Sequence, residues 1–297
     1  MNESDARHTL NNILDQLEIG EGETVYLGID MSGVPLPDYS IERLSKDAIT
    51  ARENQWCNFV YDVLMERLGP FGTLLAPTFS YAYARFGTPY IHETTPSETG
   101  PFTEFLRNQT TAIRSLHPLN SISGVGQNAS AILEGTGKAG YGIASPFARL
   151  RAHDTKFLFL GAPLGISLTH AHHMEHMYGV NHMFHKLYNT PVSQNKKEVP
   201  GPWLCFVRYL NVGVEAEIQN LETRMRSLHL LKECDEWQKP MQSCTVGDVE
   251  SLAIEMLNES PWAFLQAPRE IHIESENIED IKMHQTAHWL VPKPHLS

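Results

Sequence analysis

The sequence predicts an α/β or α+β fold. Two observations lead there. Short apolar runs of strand character recur between helical patterns along the whole chain. The 297 residues, 41% hydrophobic and 20% charged, can bury a sizeable core without disulfide staples. No shift of composition divides the chain, so one domain over 1–297 is expected.

The elements follow in order. Leu10, Ile13, Leu14 and Leu17 recur at helical spacing and predict a helix over residues 6–18. Residues 23–30 (ETVYLGID) read as a short buried strand. Gly33, Pro35 and Pro37 make Met31–Ser40 a loop. A long helix carries Trp56, Phe59, Val60, Val63, Leu64 and Leu68 inward and ends near Gly69-Pro70. Thr73–Phe79 is a second buried strand.

Ser80–Ser97 is rich in aromatic and turn residues, and loops of that length tend to be functional or mobile. Thr99-Gly100-Pro101 opens a helix over Phe102, Phe105 and Leu106. Ser145-Pro146 reads as an N-cap followed by proline in the first turn. Residues 156–161 (KFLFLG) are a third strand, and Thr169–Tyr178 a helix capped by its threonine. Leu204–Val214 is strand-like. Glu217–Leu231 and Gly247–Leu257 are amphipathic helices, the second capped by Thr245 or Asp248 and stopped by Pro261.

Composition excludes several functions. A net charge of −12 argues against binding a phosphate backbone. Acidity concentrates between Val212 and Asp280, with 15 Asp/Glu against 5 Lys/Arg. Such a field favours cationic partners, and a plain solvated acidic face accounts for it equally well. Four cysteines without C-x-x-C spacing imply neither a disulfide framework nor a thiolate metal site. Neither a leader-like N-terminus nor an apolar run approaching ~18 residues is present, so a cytoplasmic protein without membrane attachment is expected.

Thr169-His170-Ala171-His172-His173-Met174-Glu175-His176 is the densest chemical signal. On a helix His172, Glu175 and His176 share a face. His172-x-x-Glu175-His176 matches the H-x-x-E-H zinc-hydrolase pattern, in which two imidazoles hold zinc and the carboxylate handles a proton. The same residues also suit a base dyad, with Glu175 orienting His172. A His-rich surface helix accounts for the string just as well.

Five further strings surround it in one order. Gly72–Phe79 reads G-T-L-x-x-P-T-F, and Thr99–Arg107 reads T-G-x-x-x-E-F-x-R. Arg114–Gly126 reads R-S-x-H-P-x-x-S-x-x-x-x-G, and Gly142–Leu150 reads G-x-x-S-P-F-x-x-L. Leu160-Gly161-Ala162-Pro163-Leu164 leads into T-x-x-H-x-x-E at Thr169, His172 and Glu175. Together they resemble the aminoglycoside 3-N-acetyltransferase family, also called the antibiotic N-acetyltransferase family. The likeness is strongest over residues 23–178 and continues more weakly to about 265.

The resemblance implies a single α/β domain with a central mixed sheet between helices. It implies acetyl-CoA as co-substrate, no metal, and an amine on an aminoglycoside or related amino sugar as acceptor. It implies His172 as general base, supported by Glu175. Arg114, Ser115 and Ser121 match positions beside the coenzyme channel, and Thr78 would donate to the coenzyme or serve as a strand residue. Arg114 would meet a coenzyme phosphate or hold its loop through an ion pair. Thr169 would cap its helix and touch the acceptor, and His117 before Pro118 fits a satisfied turn histidine. A homodimer would be unsurprising in such a family.

One departure stands out. The family's V-H-x-S-L segment is replaced by Val25-Tyr26-Leu27-Gly28-Ile29-Asp30-Met31-Ser32, followed by an added proline-rich stretch over Val34–Tyr39. Asp30 beside coenzyme phosphates would be unfavourable, so it would meet the acceptor amine or cap the loop. Cys57 and Cys205 lie near none of the motifs, and direct attack needs no acyl-enzyme. A zinc hydrolase using His172, Glu175 and His176, or a non-catalytic CoA- or sugar-binding relative, are the alternatives.

Overall fold

Residues 1–39, 46–209, 215–235 and 237–266 are described by a computed structural model. The sequence-predicted strand over Leu204–Val214 and the acidic segment to Asp280 lie partly outside these residues.

Three strands whose residues are almost all buried form the centre of the fold. Thr24–Ile29 pairs in parallel with both Thr73–Pro77 and Lys156–Leu160. Antiparallel strands extend them on both sides. Met241–Thr245 and then Lys232–Glu233 lie beyond Lys156–Leu160, while Ile122–Gly126 and then Ile113–Arg114 lie beyond Thr73–Pro77. The result is one seven-stranded mixed sheet flanked by helices, the fold class expected.

Side-chain alternation divides this sheet between two cores. Val25, Leu27, Leu74, Ala76, Leu158 and Leu160 face one way. There they meet Leu10 and Leu14 of the helix Glu3–Gln16, and Val60 and Leu64 of the helix Lys46–Leu68. Tyr26, Leu75, Phe157 and Phe159 face the other way. They pack on Ala171 and Met174 of the helix His170–Tyr178, Leu221 of Gln219–Ser227, and Val249 and Ala253 of Val246–Glu259. The continuous apolar runs are thus strands buried on both faces.

Several boundaries follow from named contacts. Asn2 accepts the Asp5 N–H at 2.8 Å and starts the first helix. Of the two candidate caps for the last helix, Thr245 takes the part, accepting the Asp248 N–H at 3.0 Å. Ser145 does not cap the helix Pro146–Leu150; its hydroxyl donates to the Gly142 carbonyl instead.

The stretch Ser80–Ser97 is more ordered than its composition suggests. It holds a helix over Tyr81–Phe86 and a strand at Tyr90–Ile91, which pairs with Val192–Gln194. Tyr83 and Tyr90 join Tyr188 and Trp203 in a third apolar cluster. That cluster backs a two-stranded antiparallel ribbon, Met183–Tyr188 with Trp203–Arg208. The four cysteines are free and buried. No helix among the described residues is long and apolar enough to cross a membrane.

The parallel strands end together, and their exits are crowded. Gly161 has φ +77, and a Cβ there would lie 2.5 Å from the Asp30 carbonyl oxygen and 2.9 Å from Gly33 Cα. Both obstacles are backbone. Gly161→Ala should therefore lose more than about 1 kcal/mol, since strained backbone and overlap act together. Urea midpoints of the two proteins would measure it, and an unchanged midpoint would contradict this packing.

Candidate active site

Burial sets the geometry around Glu175. This residue lies in the helix His170–Tyr178, and its carboxylate is only 2% exposed. A buried carboxylate needs partners for both oxygens. Glu175 Oε2 lies 2.6 Å from His172 Nδ1, and Oε1 lies 2.9 Å from His182 Nε2. Burial alone would raise the Glu175 carboxyl. The two imidazoles outweigh it and hold the group well below the usual carboxylate range.

An ionised carboxylate can only accept, so both facing ring nitrogens carry hydrogen. A neutral His172 then keeps its lone pair on Nε2, away from Glu175. His182 is fully buried, stacks 5.5 Å from the Trp262 ring and has no partner for Nδ1. In the sequence it is only one more histidine after the dense octapeptide. Its place opposite His172 depends on the turn after Gly179, which ends the helix in the left-handed region at φ 82.

His172 lines a cavity of about 430 Å³. Phe79, Tyr81, Tyr141 and Phe206 give it aromatic walls, and Asn120 and Thr169 also line it. Thr169 stands at the N-cap position but makes no side-chain cap bond. Its predicted capping role is therefore not observed, while its position beside His172 is.

The predicted zinc ligands do not converge. His176 turns away from Glu175: its Nε2 lies 3.1 Å from His185 Nε2, and its ring stacks on Phe206. A different trio, His170, His173 and Glu250, brings its possible ligand atoms within 4.8 Å of one another. His173 Nδ1, however, accepts the Gly142 N–H at 3.2 Å, and His170 Nε2 pairs with Glu250 at 3.0 Å. These contacts fasten the His170–Tyr178 helix to the G-x-x-S-P-F turn and to the last helix. Phe147 of that motif stacks on His173.

Thr78, Arg114, Ser115 and Ser121 are brought together, but as a buried knot. Arg114 Nε donates to Ser121 Oγ at 3.0 Å. Its terminal nitrogens donate to the carbonyls of Thr95 and Thr78, each at 2.6 Å, and to Ser80 Oγ at 3.1 Å. Ser121 Oγ donates to the Thr78 carbonyl, and Ser115 Oγ accepts the Ile122 N–H. The guanidinium thus turns inward, and it holds its loops through carbonyls and hydroxyls where the sequence suggested a coenzyme phosphate or an ion pair. Phe79 and Asn120, the chain neighbours of this knot, form part of the cavity wall.

Asp30 lies elsewhere. It is exposed and accepts both the N–H and the hydroxyl of Ser32, at 2.9 and 2.7 Å, so it caps the 3-10 turn Met31–Gly33. It borders a separate cleft of about 890 Å³ with Trp56, Trp237 and Thr99. Two indoles brace the added proline-rich stretch: Trp237 Nε1 donates to the Gly33 carbonyl and Trp56 Nε1 to that of Pro37.

His117 is a satisfied turn histidine. Nδ1 accepts the Asn120 N–H at 2.9 Å and Nε2 faces the Leu204 carbonyl at 3.3 Å. Cys205, remote from the motifs in sequence, lies 4.0 Å from the same ring. Burial pushes its thiol up, so it stays protonated.

Comparison with known proteins agrees with the motif reading. The family described as aminoglycoside 3-N-acetyltransferase matches residues 47–258. The aminoglycoside N(3)-acetyltransferase III of Pseudomonas aeruginosa is 29% identical over 160 residues. That match spans 48% of this chain and 59% of the relative. Among solved structures, AAC-IIIb in a binary complex with CoASH superposes with a TM-score of 0.70 at 20% identity, over 88% of this chain and 98% of its own. Sisomicin-bound AAC-VIa gives 0.70 at 18% identity, over 87% and 98%. At these identities the structures establish a shared fold.

The buried imidazoles give stability a pH dependence of definite sign. Burial lowers His117 to about 4 and His173 to about 3, and it lowers His170 as well. In the unfolded chain these rings titrate near 6.5. Below that pH the unfolded chain binds protons that the folded one refuses. Stability should be full above about pH 6.5 and decline progressively toward pH 4. Thermal midpoints at pH 7.5, 6 and 5 test this, and a flat profile would contradict it.

Proposed function

The chain belongs to the aminoglycoside 3-N-acetyltransferase family, and from that premise we propose that it moves an acetyl group from acetyl-CoA to an amino group of an aminoglycoside or related amino sugar. The observation that carries this reading is the 2.6 Å contact between His172 Nδ1 and Glu175 Oε2, with His172 on the wall of a cavity.

The chemistry needs few protein groups. An acceptor amine is mostly an ammonium near neutral pH and cannot attack until a proton leaves it. That first proton goes to solvent; as the freed lone pair adds to the thioester carbonyl carbon, His172 Nε2 takes a second proton from the nitrogen. The carbon–sulfur bond then breaks and the proton passes to the departing thiolate, giving the amide and free CoA. Glu175 fixes the imidazole tautomer and stabilises the imidazolium formed in transit. Holding amine and thioester together supplies much of the acceleration.

The buried knot of Thr78, Arg114, Ser115 and Ser121 serves this reading by fixing the wall at Phe79 and Asn120. Thr169, which lines the same cavity as His172, touches the acceptor in this reading. Asp30 serves as the cap of its own turn and belongs to the neighbouring cleft. His182 is a positioning residue, since a second imidazole on Glu175 Oε1 leaves Oε2 for His172.

Thiol release from acetyl-CoA, across a panel of aminoglycosides and amino sugars, tests the reaction. His172→Ala should lower turnover about 10²–10⁴-fold with the fold intact, the range for loss of a general base. Release that survives this substitution, or none with any amine, would overturn the reading.

A second measurement isolates His182. His182→Ala should lower kcat and shift the pH at which kcat falls on acidification, because Glu175 gains freedom to leave His172. His182→Gln, which can still donate to Glu175, should restore most of both. Loss of stability with an unchanged pH profile would make His182 a packing residue only.

A further inference from the structure

Acyl transfer passes through a tetrahedral centre whose oxygen carries negative charge, and that charge needs a hydrogen-bond donor held ready. The imidazole of His172 is occupied with the amine proton and does not supply it. Among the described residues, the lining of the His172 cavity brings the hydroxyls of Tyr81, Tyr141 and Thr169. Tyr81 and Thr169 are half-buried, whereas Tyr141 is only 5% exposed.

The hydrogen bonding of Tyr141 runs in one direction. Asn120 Nδ2 donates to its oxygen at 3.2 Å. The asparagine is fixed on both sides. Its backbone N–H donates to His117 Nδ1, and its Oδ1 lies against Gly140, 2.4 Å from where a Cβ would stand. With Oδ1 placed there, the amide presents Nδ2 to the tyrosine. The phenol oxygen thus accepts in this bond, and its own hydrogen has no acceptor among the described residues. Tyr26, a buried hydroxyl of the same core cluster, is without any partner and does not take it. Burial pushes the Tyr141 phenol far above its ordinary value, so the hydrogen stays on the oxygen.

The ring is held as firmly as the hydroxyl. Its centroid lies 5.1 Å from that of Phe147 and 6.4 Å from that of His172. We infer that Tyr141 is a further catalytic residue, whose O–H donates to the thioester oxygen while Asn120, donating to the phenol oxygen, strengthens that donor. This rests on the acetyl-transfer reading above and adds the group that receives the charge. As the amine nitrogen bonds to the carbonyl carbon, the carbonyl π pair moves to oxygen, where Tyr141 holds it and keeps its own proton. The pair returns as the carbon–sulfur bond breaks, and the thiolate takes the proton from His172. A buried hydroxyl suits this part, because a hydrogen bond to a forming charge is stronger away from water.

Tyr141→Phe tests this, since it removes one oxygen and keeps the ring. In rapid-quench single turnovers, with whichever amine of the panel above reacts fastest, the transfer rate should fall about 10²–10³-fold, the range for one oxyanion donor. The KM for acetyl-CoA should be unchanged. Infrared spectra of isotope-labelled acetyl-CoA give a direct readout. Bound to the unaltered protein, the thioester carbonyl should absorb at lower wavenumber than in free acetyl-CoA. In Tyr141→Phe it should return toward the free position, a change that a purely structural tyrosine would not cause.

Either an unchanged rate or a carbonyl band identical in the two proteins would overturn the inference and leave acetyl transfer standing. A band that moves in Tyr81→Phe and not in Tyr141→Phe would overturn it too. No release with any amine would count against acetyl transfer itself, and the infrared band would then decide the inference separately. A lowered carbonyl band that is lost in Tyr141→Phe supports it, and a band at the free position in the unaltered protein overturns it.

Discussion

Everything about the site turns on one buried carboxylate. An ionised Glu175 beneath the surface costs more than its helix can return unless each oxygen finds a donor. The helix supplies one donor three residues earlier, at His172. The other cannot come from the same helical face, so the chain must return, and it does so through Gly179 to His182. The need to satisfy that charge thereby orients the ring that meets the cavity. His182 in turn is wedged against Trp262, beyond the last helix, which ties the site to a segment 80 residues downstream in the chain.

A second buried charge organises another part of the cavity wall. Arg114 gathers Thr78, Ser80, Thr95 and Ser121 around one guanidinium. Each bond offsets part of the cost of removing the cation from water. The consequence is mechanical, because three loops converging on one group cannot move independently. Phe79 and Asn120 take their places on the cavity wall from that convergence. These motif residues bond to the backbone of the loops they join.

Legibility in the sequence follows the range of the forces involved. The strands at Thr24–Ile29, Thr73–Pro77 and Lys156–Leu160 were readable because both faces are buried, which demands unbroken apolar runs. The Thr245 cap and the pairing of His172 with Glu175 are local in sequence and were readable for that reason. The strands Ile122–Gly126, Met183–Tyr188 and Met241–Thr245 were not. Ile122–Gly126 holds Ser and two glycines, and Met183–Tyr188 mixes charge with aromatics; their strand character comes from their neighbours. His176 was misplaced for a related reason. Helical spacing puts it near His172, but Phe206 and His185, from a ribbon distant in sequence, draw its ring away.

By itself the sequence determined the kind of fold and the family, through motifs whose order and spacing are properties of the chain alone. It also determined that a histidine and a glutamate three residues apart meet on one helical face, because helix geometry is fixed. Only the tertiary structure decided what the remaining motif residues touch. Burial turned Arg114 inward, sent Asp30 to a neighbouring cleft, and brought His182 to the far oxygen of Glu175. Those outcomes depend on which segments compete for the same space and the same hydrogen bonds. That competition exists only once distant parts of the chain are packed together.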